Sequence, residues 1–221
     1  MRIPARRLVA IVLLLSAPQA FSQNARDERP LRWHFDVGYS FTTGTTSDYL
    51  DDGWTIGGGL SWQPRQNVPV TLLAEVNFSR FDATENFIRL ANQQEDTVRI
   101  DDGDAELWSI NVNGVYKVPF SDRVRGYFTA GIGEYHRKVE FSQTVLVSGV
   151  FCDPWWGFCY PGAFPGQAIV DETSTWRFAW NAGFGVEFPL DYGAWFIDAR
   201  YHRMETSTAT EFIPIQIGFR F

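Results

Sequence analysis

Residues 176–188 read WRFAWNAGFGVEF, and parity sorts them completely. The even positions are Trp176, Phe178, Trp180, Ala182, Phe184, Val186 and Phe188; the odd ones are Arg177, Ala179, Asn181, Gly183, Gly185 and Glu187. A period of two is the signature of a β-strand, whose side chains leave alternately on opposite faces. The contrast between the faces is one of volume as much as polarity. One face is nearly all aromatic, and the other is small except at its two charged ends.

The same pattern recurs along the chain. Trp33, Phe35, Val37, Tyr39 and Phe41 form one series, and Trp54, Ile56, Leu60 and Trp62 a second. Leu72, Ala74, Val76 and Phe78 form the third; Trp108, Ile110, Val112, Tyr116 and Val118 the fourth; Val124, Phe128, Ala130 and Ile132 the fifth. Residues 176–188 are the sixth, Trp195, Ile197, Ala199 and Tyr201 the seventh, and Ile213, Ile215, Ile217, Phe219 and Phe221 the eighth. Helical periodicity is nearly absent. The connections alternate in length: QPRQNVP (63–69), PFSDR (119–123) and PLDYG (189–193) are short and contain proline. Between them come TGTTSDYLDD (43–52), an acidic loop from about Asp82 to Ala105, a loop from about Glu140 to Ser174, and METSTAT (204–210). Short turns at one end and long loops at the other, on an even number of antiparallel strands, describe a transmembrane barrel.

Volume decides which face is inside. An eight-stranded barrel has an interior only just wide enough for side chains to fill, so the face bearing Gly57, Gly59, Gly131, Gly133, Gly183, Gly185 and Gly218 belongs there. The tryptophan-rich face then points outward, a hazard in water and the ordinary surface in lipid. Trp54 and Trp62, like Trp108 and Tyr116, stand eight residues apart, roughly 20 Å along a tilted strand, close to the height of an apolar band between aromatic girdles. The N-terminus agrees. MRIPARRLVAIVLLLSAPQAFSQ carries Arg2, Arg6 and Arg7, an apolar run from Leu8 to Leu15 and then small residues, the layout of a secretory signal cleaved after Ser22. That leaves a periplasmic segment at 23–31 and a barrel at 32–221. Loss of three arginines takes the formal charge from −7 to about −10 (−7 − 3), against any role in binding nucleic acid.

In these alternating strands and in the ending FIPIQIGFRF (212–221), the chain resembles the OmpA/OmpX-like, opacity-type family of small outer-membrane barrels. The resemblance implies an all-β, eight-stranded, antiparallel up-and-down barrel in a Gram-negative outer membrane, monomeric, surrounded by lipid and lipopolysaccharide. It also implies recognition of Ile217, Phe219 and Phe221 by the barrel-assembly machinery. Pro214, which lacks a ladder donor, is expected to mark a bulge.

Charged residues of inner parity, Asp36, Glu75, Lys117, Arg125, Arg177, Glu187, Asp198, Arg200 and Arg220, are expected to pair and plug the lumen, because unpaired buried charges are costly. A narrow channel for small or hydrophobic solutes is the alternative. Some barrels of this size modify lipid A with a serine, a histidine and an acid. Here His202, with Glu205 and Ser207 nearby, is the one attractive base, but Met204 and Glu205 stand where a deacylase motif has Ser and Asn. No catalysis and no cofactor is expected. DDGDAE (101–106) lacks the spacing of a calcium loop, so no metal is expected. In VFCDPWWGFCYPG (150–162), Cys152 and Cys159 are expected to form a disulfide outside the cell. The aromatics around it, Phe151, Trp155, Trp156, Phe158 and Tyr160, are expected to fold down on to the barrel rim and lipid headgroups; the alternative is a rigid knob presented to an extracellular ligand or protein. The function implied is surface interaction through external loops.

Overall fold

The structure, a computed structural model, describes residues 31–64, 70–94, 99–121, 123–153, 155, 157–206 and 209–221. The signal segment 1–22 and nearly all of 23–31 lie outside these residues. The eight strands are β1 (Leu31–Thr42), β2 (Leu50–Trp62), β3 (Val70–Ala83), β4 (Asp102–Ser121), β5 (Val124–Cys152), β6 (Cys159–Leu190), β7 (Gly193–Met204) and β8 (Thr210–Arg220). Each pairs antiparallel with its sequence neighbours, and β8 pairs with β1 to close the barrel. Closure leaves no edge in the membrane, the condition for strands to span hydrocarbon.

The register fixes the shape. Arg32 pairs with Ser61, then the row runs through Leu73, Asn113, Gly131, Asn181, His202 and Phe212 and returns to β1 at Thr42, ten residues on (42 − 32). A rise of ten over eight strands tilts them by about 40°. The parity read from the sequence is the parity of burial. Trp33, Phe35, Val37 and Tyr39 are exposed while His34, Asp36 and Ser40 are buried, and the same split holds for the bulky even face of β6.

Glycines make room inside. A Cβ on Gly183 would come within 2.8 Å of Arg200 Cγ, and one on Gly59 within 2.8 Å of His34 Cε1. One on Gly185 would collide with the Tyr127 ring, and one on Gly218 with the Phe196 ring. Pro214 makes no bulge. The β7–β8 register keeps one phase from Ala194↔Arg220 to Met204↔Thr210 and merely skips the pairs opposite Arg200 and Tyr201. The missing donor interrupts the ladder without shifting it.

Two of the expected loops are ordered differently. The acidic segment contains a helix, α1 (Glu85–Gln94). Thr84 caps it: its Oγ1 accepts from the Phe87 N–H at 3.2 Å, and its carbonyl accepts from the Ile88 N–H at 3.1 Å. The segment from 140 to 174 is mostly ribbon. β5 and β6 stay paired from Ser142↔Ile169 to Cys152↔Cys159, beyond the last β4 partner at Asp102↔Ser142. One register slip, between Phe141 and Ser142, separates ribbon from barrel.

Candidate functional site: a plugged lumen and a stapled outer ribbon

At the end of the barrel carrying the short turns, Glu187 gathers cations from three strands. Lys117 Nζ donates to both of its oxygens at 3.1 Å, Arg220 Nη1 donates to Oε2, and Arg125 Nη1 lies 3.8 Å away. The Arg220 guanidinium also covers the Phe196 ring, 5.1 Å from its centroid. Further up, Arg200 is the hub. It donates to Glu75 at 2.5 Å and to Asp198 Oδ2 at 2.7 and 3.1 Å. Asn113 adds a bond to Glu75 at 3.0 Å, Tyr127 one to Asp198 at 2.9 Å, and Gln216 one to Asp36 at 2.5 Å. His34 Nε2 lies 3.5 Å from Asp36 and 3.8 Å from Glu75. Opposite charges thus neutralise one another within a narrow, low-dielectric space, and Asn113 and Tyr127 add neutral donors to the same carboxylate oxygens that Arg200 binds.

Above the charges, Thr55 and Ser79 hydroxyls meet at 2.9 Å, and Asn111 Nδ2 donates to Ser109 at 3.0 Å. Above these, the lumen is apolar. Leu50, Phe81, Ala105, Leu107, Tyr135, Ala179, Met204 and Phe212 form one buried cluster, and Phe87 of α1 packs against it. His202 belongs to this plug. Its ring stacks on Phe212 at 4.9 Å, its Nδ1 bonds the Tyr135 hydroxyl at 2.5 Å, and it is 4% exposed. A base so placed faces neither lipid nor solvent.

Of the nine charged residues of inner parity, Arg177 stands apart from the lumen pairs. It is exposed, and its Nη1 donates to its neighbour's carbonyl, that of Trp176, at 3.0 Å. The reason is height: β6 last pairs with β7 at Ala179↔Met204, so an inward-pointing residue beyond that pair looks over the rim. Sequence reading passed over the neutral partners His34, Asn113, Tyr127 and Gln216. Their parity was the available signal, since each shares a face with a residue already placed inside.

α1 is tied to the outer end through Phe87. Phe87 meets Tyr49 at 5.4 Å and Phe141 at 5.1 Å, and the Asn92 amide bonds both backbone groups of Ile100, at 2.8 and 2.7 Å. Residues 102–106 are part of β4, with Asp104 and Glu106 pairing outward to Arg80 at 3.4 and 3.8 Å. Lys138 pairs with Glu140 and Glu172, and Arg203 with Glu211 at 2.8 Å.

Beyond the rim, the ribbon ends in the disulfide Cys152–Cys159. Trp155 is 91% exposed and Phe158 56%, which corrects the expectation that these two fold on to the barrel rim: a paired two-stranded stalk holds the turn away from it. Trp156 lies outside the described residues, and Phe151 and Tyr160 are placed by backbone alone, as a register pair next to the disulfide.

No curated protein is significantly similar to the chain in sequence. Among solved structures, neisserial surface protein A (NspA) aligns with a TM-score of 0.52 at 10% identity, over 87% of this chain and 96% of that one. Ail, the attachment invasion locus protein of Yersinia pestis, solved in complex with the heparin analogue sucrose octasulfate, aligns with a TM-score of 0.47 at 15% identity, over 87% and 100%. At such identities, likeness extends to the fold alone. Residues 8–221 match the family described as outer membrane protein beta-barrel domain; the chain belongs to that family, and its place is the outer membrane of a Gram-negative bacterium.

Proposed function

We propose that this barrel is a non-catalytic surface-interaction protein, adhesin-like in its action, working through the ribbon that β5 and β6 raise beyond the rim. The observation that supports it most is the contrast between the barrel's two parts. The lumen is filled by ion pairs, hydroxyls and an apolar plug, whereas the ribbon exposes Leu146, Val147, Val150, Trp155, Phe158 and Ile169. Large exposed apolar patches mark interaction sites, and a filled lumen of this width is built for rigidity. The burial of His202 speaks for the non-catalytic part. The signal segment, cleaved after Ser22, delivers the chain for export, and Ile217, Phe219 and Phe221, which face outward on β8 and at its end, present it to the assembly machinery. The mature protein is a monomer that contacts lipopolysaccharide through its aromatic belt.

The test is to replace residues 143–168 with a two-residue turn and to measure attachment of expressing cells to surfaces and to other cells. Attachment should fall to the level of cells lacking the protein while the barrel still assembles. Undiminished attachment refutes the proposal. Lipid A mass should be unchanged on overexpression, and a shifted mass would refute the non-catalytic reading.

A further inference from the structure

Resting on the surface-interaction reading, we propose that the stapled turn of the ribbon inserts Trp155 and Phe158 into the headgroup layer of a facing lipid bilayer, one composed of zwitterionic lipid. Four observations lead there. The first is the character of the segment: between Ser142 and Val170, Asp153 is the one ionisable acid or base besides Tyr160 and the disulfide cysteines. Charge complementarity gives a protein partner its specificity and fast encounter; this stalk offers almost no charge, and its large exposed side chains are Leu146, Val147, Val150 and Ile169.

The second is how the turn treats its own polar groups. The Asp153 N–H donates to the Phe158 carbonyl at 3.0 Å, and the Gly157 N–H donates to the Asp153 carbonyl at 3.0 Å. The Trp155 N–H donates to the Asp153 carboxylate at 2.8 Å. Leaving water is costly for an unsatisfied backbone group, and here three donors are satisfied within the turn. The third is its rigidity. The disulfide closes the turn, and Gly157 supplies the left-handed backbone (φ 69°) that a side chain would resist. Trp155 and Phe158 are therefore held out before any contact, and little ordering remains to oppose binding. The large apolar ring of tryptophan, with its single donor, favours the membrane–water interface.

The fourth sets the depth and the lipid. β5 and β6 lose their outer neighbours beyond Asp102↔Ser142 and Ala179↔Met204, so among the described residues no strand lies beside either stalk edge. Such edges stay in water or among headgroups, which confines insertion to the turn. The stalk, about 33 Å from Ser142 to Cys152, sets the turn well out from the barrel. The charge that would reach the headgroups is the Asp153 carboxylate within the turn, so an anionic bilayer would repel it, while the barrel's own charges lie several Debye lengths away.

Protein in nanodiscs of ordinary phosphatidylcholine is mixed with vesicles of phosphatidylcholine bearing brominated acyl chains, then assayed for co-flotation and tryptophan quenching. The wild type should float with the vesicles and be quenched. Trp155→Ser, a change at a fully exposed site, should lower partitioning at least about tenfold with heat-modifiability unchanged. Adding phosphatidylserine should weaken partitioning. Absence of flotation by the wild type, or equal flotation by Trp155→Ser, overturns the proposal. If cells still attach in a ribbon-dependent way while vesicles do not bind, the partner is a protein: the lipid proposal fails and the surface-interaction reading survives. If the ribbon deletion leaves attachment intact, the reading beneath it fails as well.

Discussion

Replacing Arg200 with methionine tests whether the lumen is held by paired charge. Arg200 is 3% exposed and makes three bonds to two carboxylates. Methionine keeps most of the volume of the side chain and removes the cation. Glu75 is then left with the Asn113 bond at 3.0 Å and Asp198 with the Tyr127 bond at 2.9 Å, while Asp36 adds a third carboxylate close by. Breaking a buried pair by removing one partner costs about 3–5 kcal/mol, because the surviving charge stays buried, and that is more than a hundredfold in the folding constant. Removing both sides of an interaction costs far less than removing one. Arg200→Met combined with Glu75→Gln should therefore recover a substantial part of the loss. Urea unfolding in phospholipid vesicles, followed by the heat-modifiable gel shift, gives both values. A single-mutant loss below about 1 kcal/mol would refute the reasoning, since an average point mutation costs that much. A double mutant as unstable as the two single losses added together would refute it equally.

Three further outcomes are expected. Gly185→Val, which drives a side chain into the Tyr127 ring and within 2.6 Å of Asp198 Cβ, should lower the urea-derived stability by about 1–3 kcal/mol; an unchanged midpoint would mean that the lumen has slack. Cys152→Ser with Cys159→Ser should leave barrel stability within about 0.5 kcal/mol of wild type but speed proteolysis of the ribbon, because the cross-link's roughly 2 kcal/mol of chain constraint acts on a turn outside the closed sheet. Equal protease resistance would refute that. Planar bilayers holding the purified protein should show no steady conductance steps; sustained openings would show that the plug of Phe81, Tyr135, Met204 and Phe212 is not closed in the membrane.

The barrel was legible because parity survives everything else: a strand that slips by one residue turns its whole apolar face inward, so even and odd positions had to segregate in all eight series. Charge placement followed from parity and failed where parity was insufficient. Arg177 has the right phase, but its height on β6 depends on where β7 stops, a long-range fact. The ribbon is hard to see in the sequence, where Pro161, Gly162, Pro165 and Gly166 resemble turn punctuation. Beside an open edge, proline need not donate to a neighbour, so pairing runs through these residues. The helix α1 was missed for a different reason. Its ten residues do carry helical spacing, with Phe87, Ile88, Leu90 and Ala91 on one side, but the stretch is short and set in an acidic, amide-rich segment; the second signal was Thr84 standing three residues before Phe87, as a cap does.

The register slip between Phe141 and Ser142 also separates two kinds of evolvability. Below it, adding or removing a residue on one strand would re-phase neighbours around a closed ring. Above it, residues can be added in pairs to both strands, each such step lengthening the stalk by about 7 Å while the turn keeps the same facing. The ribbon is thus a mast of adjustable height on a fixed hull, and foreign sequences grafted at its top should be displayed without taxing assembly of the barrel beneath.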